Sequence, residues 1–516
     1  MHKIFLNDDV TKEIIAVSKK GSLAALARTC KVLSEPAQDR IWHTLLTPLP
    51  LFKCFPSDVW SESSDGVISC ARYPYKLKDW VRFRKNAKRV KRLHFGPTTT
   101  KVDPEFVQAT LVTLPAEQES LTPVLTSMYL WGDFNKADFQ LMLHAFSCST
   151  LVDIRFRSPT PTSTITTLQY LRLLCKNLEA ITVEYDQLHP SSLLADFHRL
   201  RTVTCIRARP DVPPIFIPAS LQAVGALSHL RELVTELPRD TFDFGARGES
   251  RIFFPSLQIL HLQRVHHLPV VCSFLRQLQT TSLQTFTITY SNQHSPFISQ
   301  TLADALSLHP SLENVAFDLV PEQPEHVVTA VTGDVKSLHG LTRLTRLRAL
   351  SLSCRLHITD STIDALCRSW PELRVFKISE DLYGNPEADM SVAHPRLTLA
   401  VLRPLAAHCP RLEAVAVPLD HVLRVPALDD AQPCPRRRAP LKMTVWTPSD
   451  AGLHDVDYAR RVGQYISDIY PNVVFGSNGW NWSAARQEFV GDVRKWIKVF
   501  VDERARERLR VKVGLT

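Results

Sequence analysis

One six-residue pattern recurs through most of this chain and constrains its fold more than any other feature. It has the form L-x-x-L-x-L, with other apolar residues allowed at the three leucine positions. The clear copies begin at Leu125, Leu151, Leu178, Leu200, Leu230, Leu257, Leu283, Leu312, Leu347, Leu373 and Leu412. Two further copies, at Val90 and Leu441, are interpreted as end units. The mean spacing of about 29 residues lies at the upper end of the range for leucine-rich repeats.

Each copy of the pattern is predicted to be a strand, and the sequence between two copies to contain a helix. Alternation of apolar and other residues is typical of a strand with one buried face. In the interval 359–373, Thr359 or Asp360 can cap a helix, and Pro371 ends it. One strand and one helix per unit predict an α/β leucine-rich-repeat solenoid of about 12–13 irregular units over residues 89–470.

A second regularity falls three residues before the first leucine of several units. The residues at this position are Cys148, Cys175, Phe254, His309, Trp370 and Cys409. Proline follows four of them, and proline prevents a helix from continuing. We interpret the position as a buried slot where the chain turns from helix to strand. Free cysteine packs as a small apolar residue, so these cysteines are predicted to fill the core, and His309 to be packed rather than catalytic.

Cysteine usage and hydropathy indicate the compartment. The eleven cysteines include no CxxC pair, and the first ten residues are too acidic and have too short an apolar stretch for a signal peptide. No apolar run approaches the roughly 18 residues that a membrane span requires. We therefore expect reduced thiols, no membrane insertion, and a location in the cytosol, the nucleus or both.

The sequence lacks the motifs of common catalytic sites. It contains no GxSxG, P-loop, HExxH or GxGxxG motif. His266 and His267 are adjacent, so they cannot share one helical face as metal ligands. We expect no enzymatic activity, no cofactor and no bound metal.

The net charge of +9 is concentrated in one stretch, residues 76–92, where nine basic residues accompany Asp79. The apolar residues at helical spacing within this stretch are Trp80, Val81, Phe83, Ala87 and Val90. They are predicted to be buried while the basic side chains face solvent, so that residues 47–88 form a linker and a basic N-terminal cap. A surface for an acidic partner is the alternative, and nucleic acid is the least favoured partner.

The two ends of the chain are predicted to be helical. Residues 484–508 place Phe489, Val493, Trp496, Ile497 and Phe500 on one side of a helix, which we interpret as a cap within residues 471–516. A membrane-surface helix is the alternative for this segment.

Residues 3–45 divide into three short helices, in a predicted domain of residues 1–46. The first is capped by Asn7 or Asp8, the second opens at Gly21-Ser22, and the third opens at Ser34 with Pro36 in its first turn. Such short helices are marginal alone. They therefore pack on the solenoid or contact a second protein.

The stretch LNDDVTKEII…GSLAALARTCKVLSEPAQDRIW resembles an F-box. A three-helix F-box-like domain followed by leucine-rich repeats with CPxL turns is similar to divergent, fungal-type F-box/leucine-rich-repeat proteins. In that family the F-box binds a Skp-type adaptor of a cullin-RING ubiquitin ligase, and the repeats hold the substrate. By position, the resemblance implies that the adaptor-facing residues are Leu6, Val10, Ile14, Leu23, Leu26, Ala27, Cys30 and Trp42. The family's proline after the first apolar residue is replaced by Asn7.

Outward positions of the predicted strands are the candidates for binding a target protein, because exposed sheet faces on a rigid scaffold often carry binding sites. These candidates are Trp131, Arg155, Arg157, Glu184, Thr204, His261, Thr287, Ser351 and Lys377. Trp131 and Arg157 are of the residue types that dominate protein interfaces.

The leading hypothesis is a substrate-recognition subunit of an SCF-type cullin-RING ubiquitin ligase. A stand-alone leucine-rich-repeat interaction scaffold is the alternative, and an adaptor for an acidic or nucleic-acid partner through residues 76–92 is the third.

Overall fold

The computed structural model describes residues 8–29, 31–96, 101–132, 134–185, 191–207, 218–237, 251–291, 300–320, 335–353, 358–379, 397–418, 425–426, 440–446, 456–476 and 484–512. The chain divides into two compact units, Met1–Glu236 and Leu237–Thr516.

The first unit begins with a cluster of three short helices. They are α1 (Asp8–Val17), α2 (Lys20–Thr29) and α3 (Lys31–His43), and α3 leads directly into the short strand β1 (Thr44–Leu45). Ile15, Leu23 and Ala37 form the buried core of the cluster, and Leu26, Ala27 and Ile41 pack against it partly buried. The prediction of three helices in this region is therefore confirmed.

The start of α3 differs from the prediction. The helix begins at Lys31 rather than at Ser34, so Pro36 lies in its second turn rather than its first. Leu33 and Ala37, one turn apart, are both buried. Their packing extends the helix past the polar residue that the sequence suggested as a cap, because tertiary contacts override local preference.

Residues 47–88 are folded rather than a linker. They contain α4 (Leu49–Phe52), the antiparallel strands β2 (Trp60–Glu62) and β3 (Ile68–Cys70), a 3₁₀ turn (Leu77–Asp79) and α5 (Trp80–Ala87). Aromatic rings form the interior of this segment, where Phe52, Phe55, Trp80 and Phe83 pack together and against Phe106, which follows the segment along the chain. Their mutual contacts make the segment a packed cap of the first repeat.

The repeats of the first unit alternate strand and helix as predicted. The elements are β4 (Arg92–Phe95), α6 (Pro104–Val112), β5 (Ser127–Leu130), α7 (Lys136–Phe146), β6 (Asp153–Ser158), α8 (Pro161–Leu174), β7 (Ala180–Tyr185), α9 (Ser191–Leu194), β8 (Thr202–Arg207), α10 (Pro218–Gly225) and β9 (Glu232–Thr235). The strands pair in parallel, from β1 to β4 and then in chain order to β9. The fourth position of each pattern copy pairs with the fourth position of the next, as Leu93 does with Met128.

The second unit continues the same alternation. Its elements are β10 (Ile252–Phe253), β11 (Ile259–Val265), α11 (Leu268–Gln277), β12 (Leu278–Gln279), β13 (Thr285–Ser291), α12 (Gln300–Ser307), β14 (Asn314–Val320), a 3₁₀ helix (Val335–Arg343), β15 (Ala349–Ser353), α13 (Asp360–Cys367), β16 (Val375–Ser379), a 3₁₀ turn (Leu399–Val401), α14 (Leu402–His408), β17 (Ala414–Pro418), β18 (Leu441–Trp446), α15 (Val456–Ile469), β19 (Val473–Gly476) and α16 (Ala484–Lys512). Parallel pairing links β11 to β13 and then each successive strand to β19. Each unit has the α/β architecture of a leucine-rich-repeat solenoid.

The last predicted copy of the pattern is wrong by one residue. Val415 pairs with Met443, which places the first position of this copy at Pro440 rather than Leu441. Leu441 and Met443 are both buried, so the inward residues of β18 still alternate. Leu441 can be mistaken for the first leucine of a copy because the apolar residues of an alternating strand can be matched to the pattern at more than one starting residue.

The predicted slot before each strand is confirmed as buried. Its members Cys148, Cys175, Phe254, His309, Trp370 and Cys409 are almost inaccessible to solvent. Trp370 Nε1 donates a hydrogen bond to the carbonyl of Leu341 at 3.1 Å, and His309 Nε2 lies 3.1 Å from the carbonyl of Leu275. Both nitrogens therefore pair with a carbonyl of the preceding repeat, so His309 is a packing residue.

Burial of His309 predicts a pH-dependent contribution to stability. Burial lowers the pKa of His309, so the unfolded chain takes up the proton first as the pH falls. The stability associated with the neutral ring is therefore present above the ordinary histidine pKa of about 6.5 and is lost below it, by at most about 1.4 kcal/mol per pH unit. His309→Phe, which reproduces the Phe254 of another slot, removes this loss. Urea midpoints of both proteins at pH 7.5 and 5.5 measure the difference, and parallel pH dependence of the two would contradict the prediction.

The C-terminal helix α16 packs on α15 through the apolar side that the sequence predicted. Phe489, Val493 and Ile497 are buried. Gly463 of α15 lies so close to α16 that a Cβ atom there would be 2.8 Å from the Cβ of Trp496. Arg494 Nε donates a hydrogen bond to the carbonyl of Phe475 in β19 at 2.6 Å. These contacts place α16 over the last described repeat.

Candidate protein-interaction surfaces

Three flat side chains form a row on the outward face of β4, β5 and β6. His94 pairs in register with Tyr129, and Tyr129 with Arg155. The rings of His94 and Tyr129 stack with centroids 4.2 Å apart and an angle of 7° between their planes. The guanidinium carbon of Arg155 lies 5.0 Å from the Tyr129 ring centroid, and the tyrosine hydroxyl donates a hydrogen bond to Asp153 Oδ2 at 3.1 Å. The row is therefore held in place before any partner binds.

Two predicted binding residues lie beside this row. Trp131 directly follows β5, is 39% exposed, and its backbone N–H donates to the carbonyl of Phe95 at 2.8 Å. Arg157 pairs in register with Glu184, and their side chains approach to 3.9 Å between Nε and Oε1. We call His94, Tyr129, Trp131, Arg155 and Arg157 together the stacked patch.

The environment keeps the two rings of the stack uncharged at neutral pH. Burial lowers the pKa of His94, and the positive charges of Arg92 and Arg155 lower it further. Burial also raises the pKa of Tyr129, and the nearby Asp153 carboxylate adds to this effect. A neutral imidazole and a protonated phenol stack without charge repulsion. Because both rings are neutral, the positive charge of this three-residue row is that of Arg155.

The structure separates the predicted target-binding residues into two groups. Trp131, Arg155, Arg157 and Glu184 are neighbours in the first unit, whereas His261 and Lys377 lie in the second. The register row from His261 to Lys377 passes through the small residues Thr287, Ala316 and Ser351. Four strand spacings separate the ends of this row, or about 19 Å.

Sequence reasoning missed His94, Tyr129 and Asp318. His94 and Tyr129 occupy the fifth position of their pattern copies, as do Arg155 and His261, which were identified. Comparing this position across all copies would have found both. Asp318 is half-buried in β14, where burial raises the pKa of its carboxyl group against the opposing effect of Lys377 and His261.

The predicted adaptor-facing residues occupy the N-terminal cluster in different environments. Leu23 is 2% exposed and packs inside the cluster with Ile15 and Ala37, rather than on its surface. The partly accessible candidates are Val10, Ile14, Leu26, Ala27 and Trp42. Leu6 and Cys30 lie outside the described residues.

Ion pairs attach α3 to the cap segment. The guanidinium of Arg89 pairs with both Glu35 and Asp39 of α3, and Lys85 Nζ lies 3.2 Å from Glu35 Oε1. Hydrogen bonds from Arg89 and then from Lys85 lower the pKa of Glu35. The cluster is thereby oriented by charges that lie about 50 residues away along the chain.

The basic stretch 76–92 adopts the predicted helix, but the prediction is wrong at Val81 and at Arg89, whose side chain is 9% exposed rather than facing solvent. Trp80, Phe83 and Ala87 are buried, but Val81 is 68% exposed. The fourth buried residue of the helix is Asn86 rather than Val81. The side-chain amide of Asn86 lies 3.2 Å from Cys54 Sγ, and Val81 lies on the solvent side of the helix.

Part of this positive charge is compensated within the chain. Arg84 Nη2 pairs with Glu117 at 3.0 Å, and Arg89 and Lys85 pair with α3. The stretch therefore has a structural role in holding α3.

The comparisons with known proteins reach the fold only. The chain matches no protein-family model and no curated protein. Among solved structures, it is similar to an internalin from Listeria monocytogenes, with 11% identity over 73% of this chain and 95% of the other and a TM-score of 0.28. It is also similar to the Rad7 and Elc1 complex of yeast, with 14% identity over 76% of this chain and 92% of the other and a TM-score of 0.33.

A third similar structure, the leucine-rich-repeat domain of APL1, has 11% identity over 74% of this chain and 78% of the other and a TM-score of 0.26. The assignment to the leucine-rich-repeat fold rests on the strand register and the repeat spacing of this chain itself.

No group of His, Cys, Asp and Glu side chains among the described residues is arranged to hold a metal ion. No helix in the described part of the chain is both long and apolar enough to cross a membrane.

Proposed function

We propose that this chain is a substrate-recognition subunit of an SCF-type cullin-RING ubiquitin ligase. In this proposal the N-terminal cluster binds a Skp-type adaptor, and the repeat sheet binds a target protein. The chain itself catalyses nothing; it holds the target near the ubiquitin-conjugating partner, which raises the effective concentration of a target lysine. The reducing cytosol or nucleus is the proposed compartment, in agreement with free thiols at all the described cysteines.

The observation that carries this proposal is the small core of the N-terminal cluster. Ile15, Leu23 and Ala37 form this core, while Leu26 and Ala27 pack against it and stay partly accessible. Val17 of α1 is 80% exposed and Val32 of α3 is 48% exposed. We interpret these accessible apolar side chains, on helices too short to be stable alone, as part of a surface that a partner covers.

A second observation favours the stand-alone scaffold. The helix α3 leads without interruption into β1, where Thr44 and Leu45 pair with Arg92 and Leu93 of β4. The last N-terminal helix therefore contributes to the end of the sheet, as a solenoid cap does. A measurement of adaptor binding decides between the two functions.

Hydrogen–deuterium exchange of the full chain with and without a purified Skp-type adaptor tests the proposal. At saturating adaptor, we expect slower amide exchange in residues 8–29 and 31–43, because a bound partner suppresses local opening. Exchange in β13 to β17 serves as the internal control and should not change. Unchanged exchange throughout the N-terminal helices would favour the scaffold and contradict adaptor binding.

A further inference from the structure

We infer that the stacked patch binds an extended acidic segment of the target, with a carboxylate or phosphoryl group on Arg155 and an apolar side chain on Trp131. The inference rests on the proposed function in one respect, because it takes the bound segment to belong to the target protein and names the chemical class of that segment. It follows from the geometry of β4, β5 and β6.

Arg155 is prepared to bind an anion. Its guanidinium lies over Tyr129 and is 3.7 Å from Asp153 in an ion pair, yet among the described residues it makes no side-chain hydrogen bond. The side chain is about half exposed. Its planar set of N–H donors matches the two oxygens of a carboxylate or phosphoryl group.

The stack reduces the cost of binding at Arg155. A flexible arginine loses side-chain entropy when a ligand fixes it. Here the His94–Tyr129 stack and the hydrogen bond from Tyr129 to Asp153 hold the platform beneath the guanidinium. Because the platform is already ordered, less freedom is lost when an anion binds.

Trp131 provides the second contact, at a defined distance. It lies two residues along β5 from Tyr129, the register partner of Arg155. Its Cα is therefore about 8 Å from that of Arg155, given a strand spacing of about 4.8 Å and a rise of about 3.3 Å per residue. In an extended peptide, side chains two residues apart project from the same face about 6.6 Å apart, and the long Arg155 and Trp131 side chains can span the difference.

This spacing predicts a motif in the target. One residue separates the anionic residue from the apolar one, and the anionic residue lies over β6. A lysine in place of the anionic residue is disfavoured, because it would meet the guanidinium of Arg155.

A synthetic peptide array probed with the full chain tests the inference. Each peptide carries glutamate, phosphoserine, glutamine or lysine at one position and leucine, phenylalanine or serine at another, with zero, one or two residues between them. We expect the strongest binding for an anionic and an apolar residue separated by one residue, and about tenfold weaker binding when the anion is replaced by glutamine. The glutamate and phosphoserine series distinguish the two sources of the anion.

Three variants assign the contacts. Arg155→Gln should abolish the preference for the anion and retain the apolar preference, whereas Trp131→Ala should do the reverse. Arg172→Gln is the matched control. It removes the same charge from the helix α8, where Arg172 pairs with Asp196.

The inference would be overturned if peptide binding did not depend on the spacing or on the anionic residue. It would also be overturned if Arg155→Gln, with a wild-type urea midpoint, bound the peptides with unchanged preferences. Adaptor binding by the same proteins is measured separately. If the chain shows the expected peptide profile but does not bind the adaptor, this result counts against the proposed function and leaves the inference standing.

Discussion

Phe83→Ala is expected to lower the free energy of unfolding of the first unit by about 3–5 kcal/mol, the usual cost of removing a fully buried phenylalanine side chain. The Phe83 ring is inaccessible to solvent and stacks on Phe55 with centroids 4.8 Å apart. It also meets Phe52 and Trp80 edge to face. Removing the ring leaves a cavity among aromatic groups that cannot collapse to fill it.

Urea unfolding followed by circular dichroism measures this loss. Val81→Ala is the matched control, because it shortens an apolar side chain on the same helix at an exposed position. We expect the control to change stability by no more than about 0.5 kcal/mol. Similar losses in the two variants would show that the aromatic cap is not a packed core.

The consequence of this destabilisation extends to the N-terminal cluster. Phe83 belongs to α5, and the end of that helix leads to Arg89, which pairs with Glu35 and Asp39. Disturbing α5 is therefore expected to loosen the attachment of α3 as well as the cap. Faster amide exchange in residues 31–43 of the Phe83→Ala protein would report it.

The repeat architecture could be predicted because apolar and other residues alternate locally within each strand. The fourth positions of successive pattern copies pair within each unit, from Leu93 to Leu233 in the first and from Leu260 to Val415 in the second, so spacing alone identified these strands. The helix α13 was predictable for the same reason, since Thr359 caps it through a hydrogen bond from the backbone N–H of Thr362. Short-range signals were sufficient for both.

The errors arose where distant contacts decide the structure. The early start of α3 depends on the packing of Leu33 and Ala37, and the attachment of α3 depends on Arg89, which lies about 50 residues away. The antiparallel pair β2 and β3 has no repeated pattern to reveal it. No single-sequence signal reports which acidic residue meets which basic one.

The candidate target surface was predictable in part. Trp131, Arg155 and Arg157 were identified as outward residues and are neighbours in the first unit. The stack of His94 on Tyr129 was not predicted, because the two residues lie 35 positions apart and meet only through strand register. The preorganisation of Arg155 is therefore a property of the folded sheet rather than of any sequence motif.

Leu26→Asp is expected to weaken binding of a Skp-type adaptor by about 100-fold or more, the effect of losing an apolar anchor at the centre of an interface. Leu26 packs partly buried against the small core of the cluster and keeps an accessible side. An aspartate there would have to lose its hydration when the adaptor binds.

Two further variants separate an interface effect from unfolding of the cluster. Val32→Asp changes a side chain of α3 that is 48% exposed, so it alters the surface without removing a core contact. We expect it to weaken the adaptor at least about tenfold. Leu173→Asp makes the leucine-to-aspartate change at an exposed position of α8, outside the cluster, and is the matched control.

Calorimetric titration of the purified chain with the adaptor measures whether the N-terminal cluster binds it. We expect saturable one-to-one binding by the wild type and by Leu173→Asp, with strong loss in Leu26→Asp and a smaller loss in Val32→Asp. Absence of binding by a folded wild-type chain, or equal affinity in all four proteins, would contradict the assignment of the N-terminal cluster as an adaptor-binding domain.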